Sequence, residues 1–185
     1  MSHKLLFAAL AIGLFAACSG RQSASTQTQA TGEYESTGEG VDGIQRMHEY
    51  NYTDTLVTEG HKYIYTIHRE ASDSLPVVTD DDGTRYADNI YTITISSDGH
   101  EFFHRNFTKA AFASRLSDDF RKRGLLDGMM LDSSLPGLAF AVSVSMPQSD
   151  MVEPLLMRVD HQGGIAIERD ERSDADLDDT DDEGV

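Results

Sequence analysis

Leu138-Ala139-Phe140-Ala141-Val142-Ser143-Val144-Ser145-Met146 is the stretch whose reading decides the fold. Leu138, Phe140, Val142, Val144 and Met146 share one face at period two, and Ala139, Ala141, Ser143 and Ser145 share the other. Only an extended chain sorts its side chains in this way, so the stretch predicts a strand with one buried face. Downstream, Leu155, Met157 and Val159 repeat the pattern. Asp160-His161-Gln162-Gly163-Gly164 then turns the chain, and Ile165 and Ile167 form the returning arm of a hairpin. Upstream, residues 61–67 align Tyr63, Tyr65 and Ile67, and residues 90–96 align Tyr91, Ile93 and Ile95. Ser97-Asp98-Gly99-His100 is a turn signal, with residues 101–107 as the second arm of another hairpin.

One helix is expected among these strands. Thr108 can cap it, Phe112, Leu116 and Phe120 recur every four residues, and Gly124 can end it. Arg121, Lys122 and Arg123 fall in its last turn, where cations complement the negative end of the helix dipole. The class is therefore α+β, mostly β: an antiparallel sheet system, sandwich or partly open barrel, with one packed helix.

The chain has 185 residues, and 15 Lys and Arg against 32 Asp and Glu leave it at −17. That length accommodates one domain. Nucleic acid and anionic lipid surfaces should both repel so acidic a molecule. The single cysteine excludes an internal disulfide framework.

Met1-Ser2-His3-Lys4 is a short positive start, followed by uncharged residues 5–17. A spanning helix needs about 20 apolar residues, so this stretch reads as the apolar region of a signal peptide, residues 1–17. It ends in Leu14-Phe15-Ala16-Ala17-Cys18, which resembles the bacterial lipobox, with Phe15 at the position usually held by Leu. Lipidation is accordingly expected at Cys18. Each buried methylene contributes about 0.8 kcal/mol, so several acyl chains anchor a protein where one does so only marginally. Residues 18–43 are mostly Ser, Thr, Gln, Gly and Glu with little to bury, and they are expected to form a flexible tether spanning roughly 25–30 Å. Residues 44–169 form the expected single globular β-rich domain. Residues 170–185, with nine acids and only Arg172, are expected to be a disordered acidic tail.

Several runs taken together carry a resemblance. They are Asp73-Ser74-Leu75-Pro76, Asp82-Gly83-Thr84-Arg85-Tyr86 with Asp88-Asn89, Phe107-Thr108-Lys109-Ala110, Asp118-Asp119-Phe120-Arg121-Lys122, Leu125-Leu126-Asp127-Gly128, Met146-Pro147-Gln148-Ser149-Asp150 and Arg169-Asp170. In order and spacing the chain resembles a family of small Bacteroidetes lipoproteins that carry a domain of unknown function. The resemblance implies a cell-envelope location and no assigned activity. Ser19-Gly20-Arg21-Gln22 lacks the acidic run of surface-exported lipoproteins in that group, and Ser19 is not aspartate. By analogy the expected place is the outer membrane, facing the periplasm.

Chemistry-bearing residues are scattered. His100 and His104 lie four apart, which on a strand separates them by about 13 Å, too far for one metal. His48, His61, His68 and His161 have no ligand spacing. Asp80-Asp81-Asp82-Gly83 resembles the start of a calcium loop without its later ligands, so Asp80 and Asp82 are weak metal candidates beside the reading of a solvated turn. Asp118-Asp119 follows no catalytic pattern, and no G-x-S-x-G, P-loop or S-x-x-K occurs. Arg121-Lys122-Arg123 reads as a charged helix end or a site for an acidic group. Tyr63, Tyr65, Tyr91 and Phe103, with Phe102 and Phe107, can line a ligand groove or fill the core.

The expectation is an uncharacterised envelope lipoprotein without catalysis or cofactor, a binding or accessory module. Its partners would be the membrane through the lipid anchor and an envelope protein or small ligand, not nucleic acid. Two alternatives remain open at this point. One is a lipid-anchored hydrolase with a site assembled in space, the other a cation-binding module.

Overall fold

The computed structural model describes residues 42–172; the signal peptide, Cys18, nearly all of the tether and most of the acidic tail lie outside the described residues. Among the described residues eleven strands run β1 (Ile44–Gln45), β2 (Tyr50–Thr58), β3 (His61–Ala71), β4 (Val78–Thr79), β5 (Arg85–Tyr86), β6 (Asn89–Ser97), β7 (His100–Phe107), β8 (Leu125–Leu131), β9 (Leu138–Ser145), β10 (Val152–Val159) and β11 (Ile165–Arg169). They form two four-stranded antiparallel sheets, in orders β2-β3-β6-β7 and β11-β10-β9-β8, and a small three-stranded sheet β1-β5-β4. The expected α+β, mostly β class holds, in the form of a sandwich and not a closed barrel.

The two large sheets face each other across one apolar cluster. Tyr63, Tyr65, Ile67, Tyr91, Ile93, Ile95, Phe103 and Phe107 come from one sheet, and Phe140, Val142, Val144, Leu155, Met157 and Val159 from the other. The period-two faces of the sequence are thus the inner faces of the sheets. Tyr65 meets Phe140 edge-on across the interface, with ring centroids 6.4 Å apart. The β2–β3 and β6–β7 hairpins both turn on paired left-handed residues, Glu59-Gly60 and Asp98-Gly99, the geometry whose twist matches that of the flanking strands.

Two details differ from the sequence expectation. The single helix is broken into a 3-10 helix, Lys109–Arg115, and α1, Asp118–Arg123. Leu116 and Ser117 between them are extended, and the Ser117 hydroxyl accepts the Phe120 N–H, starting a new helix where the old one would have continued. Thr108 stands at the first N-cap, but its side chain makes no capping bond.

The second concerns the end of the body, which continues past Arg169. Asp170 is buried, its N–H donates to the Pro154 carbonyl at 3.0 Å, and its carboxylate holds the Arg172 guanidinium. Arg172 also reaches Asp132 at 2.8 Å. Asp132 follows β8 and Asp170 follows β11, so one guanidinium ties together the two outside strands of a sheet.

Candidate functional site

The small sheet borders a cleft. β1 lies parallel to β5, pairing Ile44 with Arg85 and Gln45 with Tyr86, and β4 closes the far side. The turn from β4 to β5 is organised by Asp80. Its Oδ1 accepts the N–H of Asp82 at 3.0 Å and of Thr84 at 2.9 Å, and its Oδ2 accepts the Tyr86 hydroxyl at 2.9 Å. An aspartate folded back on its own turn in this way is an Asx-type device. Beneath the turn, Asp88 is buried, accepts the N–H groups of Asn89 and Leu126, and pairs with Lys109 at 3.3 Å. That ion pair clamps the small sheet to β8 and the 3-10 helix.

Between these parts lies a cleft of about 490 Å³, within the range of small-molecule sites. Leu125, Ala87 and Met47 give it apolar surface, while Gln45, Thr84, Tyr86, Asp80, Asp82 and Gln148 supply polar groups. Arg46 also borders it, its guanidinium engaged by Asp42 at 2.7 Å and Asp73 at 2.6 Å. The Arg46 bond holds the Asp42 carboxyl well below its ordinary range. Burial raises the Tyr86 phenol, which stays a neutral donor to Asp80.

Two features of this lining are out of the ordinary. Gln45 Oε1 is buried and accepts no hydrogen bond. An acceptor removed from water without a donor costs about 1–3 kcal/mol. Gln148, in the β9–β10 turn, is a non-glycine residue at φ 53°. Such strain costs on the order of 1 kcal/mol and gathers at sites where a side chain must be aimed. Both amides border the same cleft.

The structure distributes the sequence candidates differently. Tyr63, Tyr65, Tyr91 and Phe103 come together, but as core: each is at most 5% exposed. Tyr91 donates to the Asp127 carbonyl at 2.6 Å, and burial pushes its phenol up to about 12. Phe103 stacks on Phe107. Tyr63 lies within 2.8 Å of His161 Nδ1, and His161 Nε2 lies 3.6 Å from Glu59. His104 contacts Thr94 on the outer face of its sheet. Asp80 and Asp82 do border the cleft, yet Asp80 is committed to three internal donors, and among the described residues no three His, Cys, Asp or Glu converge. Arg121 is drawn to Asp118 and Arg123 to Asp81, so the basic helix end is largely neutralised.

Sequence reasoning missed Gln45, Tyr86 and Gln148 as neighbours. Each sits in a two-residue strand or a turn too short to show a period. The one trace of them was membership of Tyr86 and Gln148 in the runs that carried the family resemblance.

The chain belongs to the family of DUF4738, a domain of unknown function, whose model matches residues 29–167. A search of curated proteins gives no match.

Proposed function

We propose that this chain is a non-catalytic accessory module of the bacterial cell envelope, moored through lipidated Cys18 to the periplasmic face of a Bacteroidetes outer membrane. Its cleft beside the small sheet takes a small ligand rich in hydrogen-bond donors, uncharged or cationic. The observation that carries the ligand reading is the orphaned Gln45 Oε1 at the border of that cleft. Rotation of this amide toward a bound O–H or N–H recovers the hydrogen bond lost on folding. The rest of the lining favours the same ligand chemistry. Asp82 carboxylate and Thr84 hydroxyl oxygens add acceptors, while the one cation, Arg46, is held by two aspartates, so an anion finds little to bind.

Apart from the Arg46 guanidinium, the polar groups of the lining are amides, hydroxyls and carboxylates, and the His161–Glu59 pair sits at the opposite end of the sandwich, beyond Val159. That separation favours binding over hydrolysis. The mooring rests on the lipobox-like segment and Cys18.

Melting of the full chain, followed by circular dichroism, tests the cleft. Neutral sugars and primary amines at millimolar concentration are compared with phosphate, and binding to the native state raises the transition by mass action. At least one donor-rich compound should raise it and phosphate should not; no response to any of them removes the reading. The mooring is tested separately by detergent-phase partition, where Cys18→Ala should move the protein to the aqueous phase.

A further inference from the structure

β2 is the outside strand of its sheet. β3 pairs with it over nine residues without a break, and among the described residues nothing pairs with its other side. Such an edge presents a row of backbone donors and acceptors to any strand laid beside it. The other long edges are interrupted. The β6–β7 ladder shifts register between Ile95 and Ser96, and β8 is bulged between Leu126 and Gly128. β11 has only five residues, and its Ile167 carbonyl accepts from Arg115. β2 has neither bulge nor Pro nor Lys, the usual guards of an edge.

Its side chains describe what would fit. Tyr50 and Tyr52 are 40% and 41% exposed, and their rings are 6.3 Å apart and 6° from parallel. Alternate residues of an extended peptide are spaced about 6.6 Å on one face, so successive side chains can meet successive rings. Glu49, Asp54 and Glu59 are exposed at and beside the strand, and residues 49–59 include no Lys, Arg or His. Several basic side chains stand nearby. Arg69 lies 5.7 Å from the Tyr50 ring centre and donates to the His48 and Asp127 carbonyls, and Lys62 lies opposite Val57. His68 meets Glu49, and His161 approaches Glu59. Among the described residues no cation pairs with Asp54; the Thr55 N–H and the Tyr52 hydroxyl donate to its carboxyl and lower it from the ordinary value.

We propose that the β2 edge takes up an extended cationic peptide segment of a partner protein as an added strand, with its Lys or Arg side chains over the exposed tyrosines and against Asp54. Backbone pairing supplies affinity, and the tyrosine faces and Asp54 supply selectivity. A second copy of the chain fits poorly, because pairing β2 with itself brings Glu49, Asp54 and Glu59 against their own kind.

The probe is a fluorescein-labelled peptide of the length of β2, alternating Lys with Thr and Val, titrated with the full chain and followed by anisotropy. Two versions of equal charge are N-methylated on one or the other alternate set of amides. Pairing requires one set only, so one version should lose binding and the other keep it. Asp54→Lys should weaken the unmodified peptide by about tenfold or more. Tyr52→Ala should weaken it severalfold, and Gln45→Leu, in the cleft, should leave it unchanged. Equal binding of both methylated versions marks contact with acidic residues elsewhere and overturns the proposal, as does affinity that survives Asp54→Lys. Self-association abolished by Asp54→Lys, with no uptake of peptide, assigns the edge to a second copy and also overturns it.

Discussion

Gln45 combines a cost to the fold with a use in the cleft. Its oxygen is buried without a donor, so Gln45→Leu should raise stability by about 1 kcal/mol while abolishing any ligand-induced rise in melting temperature. Melting curves with and without the responding compound read both effects at once. Asp127, away from the cleft, also carries a cost of burial. Burial raises its carboxyl above the ordinary value, against the opposing bonds from Ser145 and Ser143. The native state therefore holds this proton more tightly than the unfolded chain, and stability falls as pH rises from the ordinary carboxylate range through the native value. Asp127→Asn keeps the Ser143 bond and can donate to Ser145, so it should melt higher at neutral pH. The advantage should fade as pH drops into the ordinary carboxylate range, which melting temperature against pH would show. Neither residue announces itself in sequence. Gln45 and Asp127 are polar letters in short runs, and their burial comes from segments far away in the chain.

At the level of elements, the sequence was most legible where one face carries most of the burial. β3, β6, β9 and β10 follow the alternation of apolar residues because their inner faces meet the opposite sheet. β2 hid from that reading because it is exposed on nearly every residue. β8 hid because Leu125, Leu126 and Asp127 are buried consecutively around its bulge, which erases the period. The helix was legible as an apolar repeat, yet Phe112, Leu116 and Phe120 are consistent with either one helix or two. The local capping bond from Ser117 decided between them. Ser117→Ala should therefore cost about 1 kcal/mol. Gly124, which follows α1, has an ordinary backbone but no room: an added Cβ would meet the Phe120 carbonyl oxygen and Val144 Cγ1, each at 2.7 Å. Gly124→Ala should cost about 1–3 kcal/mol through that crowding. Urea unfolding of the two variants checks both figures.

Across the whole molecule, the Arg172 bridge gives the sheet a closing tie. Burial pushes Asp132 up, but bonds from Ser134 and Arg172 outweigh it and leave its carboxyl below the usual value; Arg172 lowers Asp170 directly. This contribution is present at neutral pH and is lost as pH falls through the two lowered values. A chain ending at Arg169 should melt lower than one ending at Arg172, by about 1–2 kcal/mol of stability given the partial exposure of the guanidinium. The difference should shrink in acid.

The sequence by itself determined which strands bury a face and where hairpins turn. It also carries the lipobox-like segment on which the proposed mooring rests. These are properties of neighbouring residues, and a period or a cluster in one dimension is enough to express them. Tertiary structure alone decided that Gln45, Tyr86 and Gln148 border one cleft, that the aromatic candidates are core, and that β2 is left at an edge. Those outcomes depend on how separate segments pack against one another, and nothing local to any of them carries that information.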